Sequence, residues 1–125
     1  MFRSKTILIL DGSTYAAMDL SEAVRASEGC VAGPVGTLSE ALTILDIGDV
    51  AGAIIDCELA DATALIMLLT ETGVPLVVQT SVPLPSALEV LDGRLPVLMR
   101  PVHPRTVIHT LAAEMEKSED QSQIS

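Results

Sequence analysis

Short apolar runs punctuate the chain, and each one stops abruptly. TILIL (6–10), VAGAII (50–55), PLVVQ (75–79) and PVLM (96–99) are almost continuously apolar, as strands covered on both faces must be. CVAGPV (30–35) is a weaker strand. Between these runs the period changes to that of a helix. Residues 14–28 place Ala17, Leu20 and Val24 on one face, with Gly29 as the C-cap. Thr37 followed by Glu40 fits a capping box, and the helix it opens carries Leu38, Ala41, Leu42 and Leu45 on one side. TALIMLLTET (63–72) is a very apolar helix ended by Gly73. Pro83 and Pro85 stiffen the next loop and deny it backbone donors, which leaves room only for a short helix near 86–92. Pro104 opens a last helix whose core face is Val107, Ile108, Leu111, Ala112 and Met115. KSEDQSQIS (117–125) is polar and is expected to fray.

Strands alternating with helices predict an α/β fold: a doubly wound, five-stranded parallel sheet with helices on both faces and right-handed crossovers. Residues 1–116 form one domain, followed by the polar tail 117–125. In such a sheet functional groups gather at the carboxyl ends of the strands. Two of the apolar runs end on an acid there, ILILDG at Asp11 and AIID at Asp56. In the strand order 2-1-3-4-5 the first and third strands are neighbours. The two carboxylates then face one crevice, and a hard divalent cation such as Mg²⁺ would relieve their repulsion.

Composition narrows the function. Of 125 residues 49% are hydrophobic and only 2% aromatic, so the core is built from Ala, Val, Ile, Leu and Met. The formal net charge is −10, from 17 acids against 7 bases, with no Lys/Arg cluster. That argues against nucleic acid and against an anionic membrane surface. No stretch reaches the ~18 apolar residues of a membrane helix, and the N-terminus lacks a signal-peptide cleavage site. Cys30 and Cys57 show no metal or disulfide spacing, which fits a cytoplasmic protein with reduced thiols. Cys57 is expected in the core, and His103 and His109 at the surface or at a cap. No Walker loop, zinc spacing or Ser-His-Asp set is present, so the chain is not expected to be an enzyme.

The segments ILILDG, AIIDCELAD, VVQTS and LMRP, in that order over residues 5–116, resemble the receiver domain of bacterial two-component response regulators. CVAGPVGTLSEAL (30–42) is similar to the second strand and helix of stand-alone receivers. The resemblance implies a flavodoxin-like sheet and an atypical stand-alone member. It makes Asp56 the phosphoacceptor, served by a histidine kinase or phosphotransferase protein, with a downstream protein as partner. It implies Mg²⁺ held by Asp11, Asp56 and the backbone carbonyl of Glu58. Thr80 would swing to the phosphoryl oxygen, and Arg100 stands where the family has a lysine, before a proline whose peptide bond is usually cis.

The departures bear on the chemistry. Gly12 stands where the family has a second acid, so Mg²⁺ is expected to bind weakly. Arg100 replaces a compact ammonium with a planar fork. It either binds phosphate or pairs with Asp56 and holds the site shut. Val97 takes the place of a switch aromatic, and SVPLPS replaces a regular helix start. The side chain of Glu58 either supplies the oxygen that Gly12 lacks or is a loop acid. Three functions follow: a phosphoacceptor receiver acting as a phosphorelay or phosphate sink, which is the expected one; a phosphorylation-independent pseudo-receiver that binds proteins; and a small-molecule-binding flavodoxin-like domain. The near absence of aromatics argues against the last holding a flavin. The face bearing Val97, Pro83 and Leu84 is expected to meet the partner.

Overall fold

A computed structural model of the chain describes residues 1–86, 88 and 93–124, and of residues 120–124 only the backbone. Strands β1 (Thr6–Leu10), β2 (Cys30–Val35), β3 (Gly52–Asp56), β4 (Leu76–Thr80) and β5 (Val97–Met99) form one parallel sheet in the order β2-β1-β3-β4-β5. Helices α1 (Thr14–Ala26), α2 (Leu38–Ile47), α3 (Ala62–Glu71) and α4 (Pro104–Ile124) complete the described structure.

The continuous apolar strands are explained by two cores. Ile7 and Ile9 of β1, Ile54 of β3 and Val77 of β4 pack with Leu20 and Val24 of α1 and with Val107, Ile108, Leu111 and Met115 of α4. Alternate residues, Leu8, Leu10, Ala53, Ile55, Leu76 and Val78, pack with Ala41 of α2 and Leu65, Ile66 and Leu69 of α3. Successive side chains leave a strand on opposite faces, so a strand with both faces covered has no polar position to offer. The acids can enter only where the strands end.

The helix ends follow local chemistry. Ser13 caps α1, its side chain accepting from the Ala16 N–H, and Thr37 caps α2 by accepting from the Glu40 N–H at 3.2 Å. Glu40 completes a variant of the capping box, its carboxylate accepting from the Thr37 hydroxyl at 2.9 Å. At the end of α1 it is Glu28, not Gly29, that turns left-handed, with φ 69°. Gly29 N–H bonds Val24 O and Glu28 N–H bonds Arg25 O, the Schellman pattern. Gly29 is needed for space instead: a Cβ there would lie 2.8 Å from Val24 Cγ1 and 3.0 Å from Phe2 Cδ2. Gly73, at φ 78°, ends α3 as expected.

Two further expectations are corrected. On α2 Leu42 is exposed, and Ile44 joins Leu38 and Leu45 against the core. The polar segment after residue 116 continues α4 to Ile124 rather than fraying, since Lys, Glu and Gln are good helix formers and neither Gly nor Pro interrupts them. An ion pair of Lys5 with Glu119 ties that extension to the start of β1. On the face expected to meet a partner, Pro83 is exposed and Val97 and Leu84 are partly buried against the core, with Val82 and Met99 exposed apolar residues there. The short helix expected at 86–92 falls mostly outside the described residues; Leu88 is buried and its N–H bonds Pro85 O. Among the described residues, no helix is long and apolar enough to cross a membrane.

Candidate functional site

Asp11 and Asp56 meet at the carboxyl edge of the sheet, as the strand pairing requires. Asp11 follows β1, and its N–H bonds Val35 O of β2 at 3.0 Å. Its Oδ1 accepts from the Ser13 N–H at 2.9 Å, so the start of α1 fixes the carboxylate's direction. Asp56 is the last residue of β3. Its Oδ2 accepts from the Gly12 N–H at 3.3 Å, and its Oδ1 from the Glu58 N–H at 3.0 Å. Both residues are buried, and the Asp11 side chain has no exposure at all. Burial, above all, pushes the Asp11 carboxyl above its ordinary value. The Ser13 N–H and the Arg100 guanidinium pull it down, and the Asp56 charge pushes it up again.

Arg100 closes the pocket. Its backbone N–H bonds Thr80 O at 2.9 Å, anchoring it just beyond β5, and its bond to Pro101 is cis. Nη2 donates to Asp11 Oδ2 at 2.8 Å, and Nη1 lies 3.3 Å from Asp56 Oδ1 and 3.9 Å from Glu58 Oε2. One planar fork thus faces three carboxylates, Asp11 through one terminal nitrogen and Asp56 and Glu58 through the other. Glu58 is exposed but engaged: its Oε2 accepts from the Ser81 N–H at 2.9 Å, linking the loop after β3 to the loop after β4.

Thr80 ends β4 and is fully buried. Its hydroxyl donates to Val82 O at 2.7 Å and accepts from the Val82 N–H at 3.2 Å, so it is engaged with its own loop. It also bonds the thiol of buried Cys57, which offsets part of the upward push that burial gives that thiol. His103 caps α4, its Nδ1 accepting from the Arg105 N–H at 3.0 Å. Gln79, beside Asp56 in the sheet register, is buried with its Nε2 lacking a hydrogen-bond partner among the described residues.

Gly12 is walled in by Leu59. A Cβ at Gly12 would lie 2.8 Å from Leu59 Cδ2 and 3.7 Å from Asp56 Oδ2. Leu59 therefore fills the place where a second acid side chain would start. Nothing in the sequence marks Leu59 or the Ser81 N–H as parts of this site, because one is an ordinary apolar residue and the other a backbone group.

These residues do not fit a divalent metal as they stand. Among the described residues, no group of three or more His, Cys, Asp or Glu is arranged to hold one. The position between Asp11, Asp56 and Glu58 is taken by the guanidinium.

No protein-family model matches the chain, and no curated protein matches it in sequence. Solved structures do match. A response regulator receiver domain protein described as CheY-like, from Methanospirillum hungatei JF-1, aligns with a TM-score of 0.81 at 19% identity, over 94% of this chain and 98% of that one. SdrG from Sphingomonas melonis Fr1 aligns with a TM-score of 0.70 at 28% identity, over 92% and 99%. The response regulator PhyR from Brucella abortus aligns with a TM-score of 0.74 at 22% identity, over 97% of this chain, which spans only 51% of that one. With its 2-1-3-4-5 parallel sheet and with acids closing β1 and β3, the chain has the fold of the response regulator receiver domain.

Proposed function

We propose that the chain is a receiver module of two-component signal transduction that acts by binding a protein partner, without a phosphoryl group on Asp56. The observation that carries this is the pairing of Arg100 with both Asp11 and Asp56. Phosphoryl transfer rests on positioning and on neutralising the charge that builds up on the transferred group. Here the acceptor's own carboxylate already consumes the cation, and Thr80 is bonded to Val82. The chain then has no turnover of its own, and its partner reads a fixed surface.

A second reading has Asp56 accept a phosphoryl group from a histidine kinase or phosphotransferase protein, with a weakly held Mg²⁺. It is favoured by the convergence of Asp56, Thr80 and Arg100 at one edge of the sheet, with the Arg100 side chain still 22% exposed.

Acetyl phosphate with Mg²⁺, followed by intact-mass analysis, separates the two. The expected result is no phosphoryl adduct on the wild type. An adduct that Asp56→Asn abolishes would establish the second reading instead.

A further inference from the structure

The acid cluster has a charge problem that its own chain solves. Asp11, Asp56 and Glu58 bring three carboxylates to one point, and Asp11 has no access to solvent. Carboxylates gathered around one position repel each other unless a cation lies among them. Arg100 supplies it, with each terminal nitrogen spoken for: Nη2 by Asp11, Nη1 by Asp56 and Glu58. Glu58 is in turn held by the Ser81 N–H, so the guanidinium knits together the ends of β1, β3, β4 and β5.

We infer that Arg100 is the resident cation of this pocket, standing in for a divalent metal and excluding it, so that the assembled site is metal-independent. This deepens the functional reading above and rests on it for taking Arg100 as a fixed member of the pocket. Mg²⁺ demands near-octahedral oxygen ligands at short distance and gives up water reluctantly. It could enter only by displacing a guanidinium that bridges the buried carboxylates of Asp11 and Asp56, one terminal nitrogen to each, and with Leu59 where a further acid would begin, no additional ligand rewards the exchange. Removing the guanidinium should therefore uncover a cation site that the wild type does not offer.

The test is thermal unfolding of the full chain in chelated buffer and in millimolar Mg²⁺, with Mn²⁺ broadening of the Gly12, Ser13 and Glu58 amide signals as the local readout. The wild type should show neither a shift in Tm nor selective broadening. Arg100→Ala should melt lower in chelated buffer, recover Tm in Mg²⁺, and bind the metal at least ~10-fold more tightly than the wild type, a difference of about 1.4 kcal/mol. Arg100→Gln keeps bulk at the position and serves if Arg100→Ala does not fold. Selective broadening and a Tm rise in the wild type would overturn the inference, as would a folded Arg100 variant no more responsive to Mg²⁺ than the wild type. Labelling of Asp56 in metal-free buffer would defeat the protein-binding reading and leave this inference standing. Mg²⁺ binding by the wild type without labelling would do the reverse.

Discussion

Two buried polar side chains outside the ion cluster show opposite economies. Gln79 Nε2 lies in the interior with no hydrogen-bond partner among the described residues, and a buried donor left unpaired costs about 1–3 kcal/mol. Gln79→Leu removes the orphan at similar volume, so it should raise the urea midpoint by the equivalent of about 1 kcal/mol. A drop in the midpoint would show that the amide has a partner in solution. Cys57 is different: burial holds its thiol above the ordinary value of 9.0, and Thr80 only partly offsets this. The folded state keeps that proton when the unfolded state has lost it. Stability therefore falls as pH rises past about 9, and Cys57→Ala should flatten that alkaline decline. At neutral pH a thiol reagent should modify exposed Cys30 quickly and Cys57 only on unfolding.

At the scale of elements, boundaries depend on what a residue touches as much as on its propensity. Gly73 ends α3 by turning left-handed, which the glycine announces. Gly29 announces the same for α1, yet Glu28 takes the turn and Gly29 is kept small by Val24 and Phe2. Distant packing of that kind leaves no mark in a local pattern. Glu28→Gly should stabilise the protein by up to about 1 kcal/mol, because a left-handed residue with a Cβ is strained. Gly29→Ala should cost about 1–3 kcal/mol through overpacking. Denaturant titration of the pair settles which glycine rule applies, and equal effects would contradict the assignment. The strands were legible for a simpler reason: β1, β3 and β4 are covered on both faces and carry long apolar runs, with polar side chains gathered near their ends. Leu42 was misplaced because the capping motif fixes where α2 starts but not which way its apolar side turns.

For the molecule as a whole, the alternation of strand and helix gave the doubly wound parallel sheet, and the common order 2-1-3-4-5 of such sheets then brings Asp11 and Asp56 together. What could not be read was the role of Arg100, since a sequence shows a cation near two acids but not whether their distances are already closed. The global charge is also plain from composition. At −10 the folded chain repels itself. Raising the salt from low millimolar to about 0.15 M, where the screening length is ~8 Å, should raise Tm. A fall would mean that attractive pairs such as Lys5 with Glu119 outweigh the repulsion.

The contact between Gly12 and Leu59 makes two positions far apart in sequence into one thermodynamic unit. Gly12→Asp alone must push the Leu59 methyl from a 2.8 Å approach and set a new charge beside Asp56. Leu59→Ala alone leaves part of the α3-side core unfilled. In the double variant the new side chain occupies the space the old one vacates. The losses should then fail to add, with a coupling energy of about 0.5–3 kcal/mol in a double-mutant cycle. Simple additivity would mean that Leu59 yields to a side chain at position 12 without resistance. A substantial coupling would mean that restoring the missing acid is a two-site change, and that neither half of it is informative alone.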